Sequence, residues 1–169
     1  MTTKVIQHCE DANLATPFNS SGFTLAFIRN LPAYRKGLSA NRRGLEVGMA
    51  HGYFLYGPFA ILNPLRNTEQ AAVTGVIATI GLISILTIAL SMYAERSSKK
   101  PLATITAPEA PENLGTSEGW SEFANGFFMG GCGGGFFAYL LCQTPHVELL
   151  QENYLEKDIE KEIYGKRGL

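Results

Sequence analysis

Three long runs without a charged residue constrain this chain more than any other feature. No Asp, Glu, Lys or Arg occurs in residues 47–65, 70–94 or 123–147, which are 19, 25 and 25 residues long. About 20 helical residues cross a bilayer core of roughly 30 Å, whereas helices of soluble proteins are usually shorter and carry a charged face. The runs therefore predict an all-α integral membrane protein with three transmembrane helices. A soluble bundle of buried helices is the alternative, because the mean hydropathy of the whole chain is only +0.03.

The same runs divide the chain into three parts. Residues 1–43 are a polar N-terminal segment, residues 44–142 are the membrane domain, and residues 143–169 are a charged C-terminal tail. The three predicted spans cover about 45–62, 70–94 and 123–141. The loop between the second and third spans covers 95–122. In the tail, the apolar residues Leu155, Ile159 and Ile163 repeat every four residues, which predicts a surface amphipathic helix.

Local signals refine the ends of these segments. The apolar stretch from Gly22 to Leu31 is too short to cross a membrane, so we expect it to lie at an interface or to pack on a partner. Pro32 should end any helix at Leu31. Pro58 should kink or end the first span in its last third. Trp120, just before the third span, suits the interface between membrane and water.

The distribution of Lys and Arg predicts the orientation. Six of them precede the first span, one lies between the first and second spans, and three lie between the second and third. Because cytoplasmic loops carry the excess of basic residues, we expect the N-terminus and the long loop on the cytoplasmic or stromal side. Three spans then place the C-terminal tail in the lumen, although its four basic residues oppose this weakly.

Composition excludes several classes of function. A formal net charge of −1 without a long basic run argues against nucleic-acid binding. The three cysteines make no disulfide framework, since Cys132 and Cys142 would lie about 15 Å apart on one helix. The sequence shows no set of nucleophile, base and acid of the kind that catalysis requires, so we predict that the protein is not an enzyme. The first 15 residues have no apolar signal-peptide core, so no cleavable signal is expected.

Glu46 and His51 are the residues best suited to bind a cofactor. Both lie at the start of the first span, where polar groups are costly and usually functional. Five residues of helix separate them by about 140°, so they could ligate two metals on different faces but not one metal together. Chlorophyll magnesium accepts carboxylate oxygen or imidazole nitrogen as an axial ligand. The alternatives are an ion pair of Glu46 with Arg42 or Arg43, and a hydrogen bond from His51 to a neighbouring helix.

Two glycine stripes indicate surfaces for close packing. Gly44, Gly48 and Gly52 repeat every fourth residue in the first span, and Gly126, Gly130 and Gly134 do so in the third. Such stripes let helix backbones approach closely. Helix packing is the preferred interpretation, and contact with a flat pigment is the alternative.

Several motifs together resemble one known family. They are the segment 30–35 (NLPAYR), the block 42–54 (RRGLEVGMAHGYF), the later pieces Gly57-Pro58-Phe59, Pro64-Leu65-Arg66 and Gly119-Trp120, and the glycine-rich third span. Over roughly residues 28–145 the chain resembles reaction-centre subunit XI of photosystem I, the PsaL family. The block 42–54 is long enough that chance is a poor explanation.

The resemblance implies a non-catalytic, three-span thylakoid protein at the edge of photosystem I, in contact with the large core subunits and small membrane subunits. Members bind antenna chlorophyll a and beta-carotene, and in cyanobacteria they hold the photosystem as a trimer. Glu46 and His51 match the chlorophyll-ligand block of the family. A calcium position at the oligomer contact would fall at Pro64 and Asn67, but Asn67 replaces the Asp of many trimer-forming relatives and is a weaker oxygen ligand.

A membrane anchor that carries haem for a respiratory complex is the alternative function. Three spans and a membrane histidine suit such an anchor. A b-type haem would normally need two axial histidines at matching depth, and only His51 lies within a predicted span.

Overall fold

The computed structural model describes residues 16–96, 100–101, 103–104 and 107–144. Within them the chain is all-α and contains no strand, which confirms the predicted class. The helices are α1 (Gly22–Asn30), α2 (Ala40–Leu62), α3 (Ala71–Arg96) and α4 (Ser117–Cys142), with a short 3-10 helix at Glu112–Gly115. The predicted tail helix lies outside the described residues, as does Cys9.

Helix α1 corresponds to the short apolar segment. It begins at its cap Ser21, whose hydroxyl accepts a hydrogen bond from the Thr24 amide at 3.1 Å. It ends at Asn30, with Leu31 in extended conformation just before Pro32, as predicted from the proline. None of its residues is buried, so α1 lies on the outside of the bundle.

Helix α2 does not end at Pro58, one of the two outcomes predicted from the proline, and it ends at the same residue as the predicted first span. It continues to Leu62 with the proline inside its last turns. A proline removes one backbone N–H and the bond to the carbonyl one turn earlier. Because Pro58 lies only four residues before the end of the helix, the lost hydrogen bond disturbs little of the helix that follows.

Helix α4 begins six residues before the predicted span, which corrects the position of Trp120. The hydroxyl of Thr116 accepts a hydrogen bond from the Gly119 amide at 3.0 Å and caps the helix. Trp120 therefore lies in the first turns of α4, where its indole N–H donates to the Leu114 carbonyl at 2.6 Å. The cap sets the start of the helix, whereas the charge-free run marks only its apolar part.

Helices α2 and α4 run side by side in the same direction and meet backbone to backbone. A Cβ atom added at Gly44, Gly48 or Gly52 would lie 1.9–2.2 Å from a carbonyl oxygen of α4, and one at Gly126, Gly130 or Gly134 would lie 2.0–2.1 Å from a carbonyl oxygen of α2. Both stripes therefore face the partner helix, and the packing interpretation is confirmed. We call this contact the glycine interface.

Helix α3 runs antiparallel to the other two and closes the bundle. Gly131 and Gly135 of α4 face the side chains of Ile83 and Thr79, which are fully buried. Gly75 of α3 packs on the backbone of α2 at Ala60. The hydroxyls of α3 bond back to carbonyls four residues earlier, at 2.8–3.0 Å: Thr74, Thr79, Ser84, Thr87 and Ser91. This internal bonding satisfies polar groups on an otherwise apolar helix.

The outer surface of the bundle is apolar. Large exposed side chains include Phe54 and Ile61 on α2, Ile77 and Ile85 on α3, and Phe137 on α4, each more than half exposed. Among the described helices, α3 is the one long and apolar enough, by length and composition, to cross a membrane. Helices α2 and α4 have sufficient length, but their glycines add little hydropathy. Three transmembrane helices are therefore not confirmed by this criterion.

Candidate functional site

Glu46 lies at one edge of a shallow groove of about 460 Å³ between α2 and α4. The other lining residues are mostly apolar: Pro32, Met49, Ala50, Tyr53, Gly134 and Phe137. A small residue, Gly134, forms part of the wall, and two aromatic rings, Tyr53 and Phe137, lie 6.4 Å apart between their centres. We call this the Glu46 groove; its shape and apolar walls suit a flat, largely apolar ligand with one polar anchor.

The carboxylate of Glu46 is ion-paired. One oxygen accepts a hydrogen bond from the Arg35 guanidinium, and the other lies 3.9 Å from Nε of Arg42. The expected pairing with Arg42 is therefore present, whereas no ion pair forms between Glu46 and Arg43. Sequence reasoning missed Arg35, which lies 11 residues earlier, because only the turn before α2 brings it back over the helix.

An ion pair and metal ligation do not exclude each other here. A carboxylate has about four lone-pair positions, and the second oxygen of Glu46 has only the distant Arg42 near it. The side chain is 26% exposed, and the residue lines the groove. Arg35 would then hold the carboxylate in place as an outer-shell partner.

His51 is exposed and bonded within its own helix, not to a neighbouring helix as the alternative supposed. Its Nδ1 lies 2.8 Å from the Val47 carbonyl oxygen. Because a carbonyl only accepts, Nδ1 is the donor in this contact, and in the tautomer with a single proton the lone pair is on Nε2. The ring meets Phe127 of α4 edge-on, with centres 5.4 Å apart.

Glu46 and His51 are not brought together. Glu46 faces the groove formed with Gly134 and Phe137, whereas His51 reaches Phe127 on the other side of the glycine interface. The predicted divergence around the helix is therefore present, and the pair offers two separate ligand positions on α2.

Arg43 is a functional candidate that sequence reasoning did not single out. It is 2% exposed, its Nη1 donates to the Pro32 carbonyl at 2.8 Å, and its Nε is buried without a hydrogen-bond partner. Burial lowers the pKa of the guanidinium, Arg35 lowers it further, and Glu46 opposes both. Arginine nevertheless stays charged at neutral pH. The residue precedes the predicted span and is a buried cation.

The turn between α2 and α3 holds the predicted calcium position. Asn63 organises this turn: its amide nitrogen donates to the carbonyls of Phe59, Ala60 and Ala71, and its oxygen accepts from the Leu65 amide at 2.7 Å. Pro64 and Asn67 are exposed. Within the described residues, no group of three or more His, Cys, Asp or Glu could hold a metal ion. The calcium prediction stays untested.

These features define a class of protein: a small all-helical subunit whose helices pack through glycine and whose outer surface is apolar. Comparison with known proteins agrees with this class and narrows it. The family model "Photosystem I reaction centre subunit XI" matches residues 2–147.

Curated relatives carry the same description. The chain is 69% identical over 140 residues to photosystem I reaction center subunit XI of Crocosphaera subtropica, covering 83% of this chain and 90% of the relative. It is 64% identical over 141 residues to the protein of that name from a Picosynechococcus species, covering 82% and 93%. Against Synechococcus elongatus the identity is 59% over 143 residues, covering 83% and 86%.

The chain therefore belongs to the family of photosystem I reaction centre subunit XI, and the resemblance noted in the sequence is confirmed. It is a structural subunit of photosystem I and not an enzyme. Its complex contains chlorophyll, lies in the thylakoid membrane and includes the other photosystem I subunits. Family membership argues against the alternative function, a haem-bearing membrane anchor of a respiratory complex.

Proposed function

We propose that this subunit crosses the thylakoid membrane three times, binds antenna chlorophyll a through Glu46 and His51 together with beta-carotene, and mediates photosystem I oligomerisation, with the trimer as the expected state. The observation that carries the proposal is the state of His51. Its ring is exposed and its Nδ1 is bonded to the Val47 carbonyl of the same helix, which would leave Nε2 as the nitrogen for a metal. The proposed domains are those of the sequence: 1–43, 44–142 and 143–169.

The lengths and surfaces of the helices support three spans. Helices α2, α3 and α4 have 23, 26 and 26 residues, or about 34–39 Å at 1.5 Å per residue, which exceeds a bilayer core of about 30 Å. Exposed apolar side chains on all three helices would face lipid, pigment or neighbouring subunits. Glycine in α2 and α4 is compatible with this location, because membrane helices associate through small residues.

The ends of the bundle support the predicted orientation. Helix α2 begins, α3 ends and α4 begins at one end, close to Arg29, Arg35, Lys36, Arg43 and Lys100. The turn at the opposite end carries Arg66 as its one basic residue. With basic residues retained on the cytoplasmic side, the N-terminus is stromal and the C-terminal tail is lumenal.

His51 suits an axial ligand of chlorophyll magnesium. Ligating histidines commonly donate their other ring nitrogen to a carbonyl, which fixes the tautomer and the ring orientation. The contact with Val47 does this for His51 and leaves Nε2 for the metal. Phe127 restricts the ring from the side of α4.

Glu46 suits a second axial ligand. Magnesium prefers oxygen ligands, and the Glu46 groove provides apolar walls around one carboxylate. The positive charge of Arg35 compensates the carboxylate, so the partly exposed pair would add no net charge beside the pigment.

Pigment counting in purified photosystem I tests both assignments. The variant His51→Leu is expected to lose one chlorophyll per copy of this subunit, and Glu46→Leu is expected to lose another. Glu46→Gln is the matched control, since its amide keeps an oxygen ligand and should retain more pigment than Glu46→Leu. Phe54→Leu is the control for His51, because it alters an exposed aromatic residue on the same helix.

The outcomes separate the two residues. An unchanged pigment count in His51→Leu, with normal incorporation of the subunit, would reject His51 as a ligand. An unchanged count in Glu46→Leu would leave Glu46 as the ion-pair partner of Arg35 alone.

A further inference from the structure

A cationic cavity of about 860 Å³ lies at the end of the bundle where α2 begins. One wall is formed by the end of α1 and the segment that follows it, with Arg29, Arg35 and Lys36, and Arg43 of α2 also lines the cavity. The opposite wall is the loop before α4, which contributes Lys100 and residues 108–112. The cavity is separate from the Glu46 groove and from His51, and none of the proposed pigment ligands lines it.

Carboxylates neutralise only two of the five cations around the cavity. Glu109 and Glu112 both lie on Lys100, with oxygens 3.4 and 3.6 Å from its Nζ. Glu46 pairs with Arg35 and, more distantly, with Arg42. The three other cations, Arg29, Lys36 and Arg43, have no carboxylate partner within 4.0 Å in the described part of the chain.

The burial and hydrogen bonding of Arg43 are independent evidence for an anion in the cavity. It is 98% removed from solvent, and its guanidinium has one carbonyl partner, Pro32, and an Nε without a partner. Burying a charge is unfavourable unless an opposite charge or hydrogen bonds accompany it. Glu46 acts on Arg43 only from beyond ion-pair distance, so an anion in the cavity would supply a direct countercharge to Arg43 and would also contact Arg29 and Lys36.

We propose that the cationic cavity binds a phosphate-type anion, supplied either by the headgroup of an anionic membrane lipid or by free phosphate. Guanidinium groups match the tetrahedral oxygens of such an anion in forked geometry. Basic pockets at the cytoplasmic ends of membrane helices are typical headgroup sites. The location at the membrane surface rests on the three-span topology proposed above.

Helix α1, which contributes Arg29 to the cavity, also carries exposed apolar side chains that could contact acyl chains. Phe23 and Phe27 are 83% and 60% exposed on the helix that ends beside Arg29. At 100° per residue, Phe23 and Phe27 lie about 120° and 160° from Arg29 around α1, so acyl chains on these rings would pass around the helix from the cavity.

The double variant Arg29→Gln/Lys36→Gln tests the site in the intact complex. Both side chains are exposed and lack carboxylate partners among the described residues, so their replacement leaves the packing of the bundle intact, and Arg43 is retained. Arg66→Gln is the matched control, an exposed cation at the opposite end of the bundle. Purified photosystem I is transferred from detergent into an amphipathic polymer, so that no free detergent dissolves the lipid, and is titrated separately with bilayer discs of phosphatidylglycerol, discs of phosphatidylcholine, and inorganic phosphate.

We expect the wild type and Arg66→Gln to retain one more phosphatidylglycerol per subunit than the double variant, and no difference for phosphatidylcholine. Loss of two interfacial cations weakens binding by about 30-fold. If the lipid discs reveal this difference and inorganic phosphate does not, the source is a lipid. If inorganic phosphate alone saturates the site with the same 30-fold difference, the source is free phosphate.

Equal binding by the wild type and the double variant in all three titrations would overturn the proposal. Loss of another polypeptide from the double variant with unchanged lipid and phosphate would also overturn it, in favour of an acidic protein segment. The chlorophyll count of the same samples is an independent readout. Failure of the pigment assignments would leave that count unchanged in the His51 and Glu46 variants, and it would not change anion binding here.

Discussion

Replacing Gly48 by alanine should destabilise the bundle, because the glycine interface has no room for a methyl group. The new Cβ would lie 2.2 Å from the carbonyl oxygen of Phe127 and 2.9 Å from the amide nitrogen of Gly131. An ordinary contact begins at 3.4 Å, so the two helices must separate locally by about 1.2 Å, the difference from 2.2 Å. Both nearest atoms belong to the backbone and cannot rotate away.

The expected cost is about 1–3 kcal/mol, as for other overpacked cores. For a chain of this size this lowers the thermal midpoint by about 3–10 °C. Purified photosystem I would be heated in steps, and the fraction of this subunit still bound would be measured by native separation and immunoblotting. Gly130→Ala, whose Cβ would lie 2.0 Å from the Leu45 carbonyl oxygen, should behave in the same way.

Gly133 and Gly81 provide matched controls. A Cβ at either position meets nothing within 4 Å, so alanine there should leave the midpoint unchanged or raise it slightly, since alanine favours helix. Equal midpoints for Gly48→Ala and Gly133→Ala would refute the reasoning, because the same substitution would then be tolerated inside and outside the interface.

Three further predictions concern the ends of the bundle. Asn63→Ala should cost about 1–3 kcal/mol, since it removes part-buried hydrogen bonds to three carbonyls and one amide, whereas Asn67→Ala, at an exposed position, should leave the same thermal midpoint unchanged; equal effects would contradict the role of Asn63. Chelation of calcium should leave the photosystem oligomer intact because Asn67 is a weak ligand, and dissociation by chelator in native separation would overturn that inference. A membrane-impermeant thiol reagent should label Lys36→Cys from the stromal side and Arg66→Cys from the lumenal side, and the reverse pattern would refute the orientation.

The long helices were predictable because their signals are local. Charge-free runs located α2, α3 and the apolar part of α4, and the glycine spacing indicated that α2 and α4 pack closely. The structure differs from the prediction at the helix ends, because one or two residues set where a helix begins or ends. Thr116 starts α4 before its apolar run, and Pro58 is tolerated because α2 ends soon after it.

The surroundings of the candidate ligands were less predictable. The divergence of Glu46 and His51 follows from helix geometry and could be read from their spacing. The bond from His51 to Val47 is also local, since it joins residues four apart. The ion pair between Arg35 and Glu46 joins residues on either side of a turn, and no periodicity indicates it.

The sequence by itself determined the helical class, the stripes of small residues and the family, because each of these depends on residue types at short, regular spacing. Only the tertiary structure decided which cations are buried and which are paired. The cationic cavity joins Arg29, Arg43 and Lys100 from three separate parts of the chain. The burial of a cation and its pairing with an opposite charge depend on which residues lie near it in the folded chain. In this bundle the glycine interface fixes how closely α2 and α4 approach, and so influences where those residues lie.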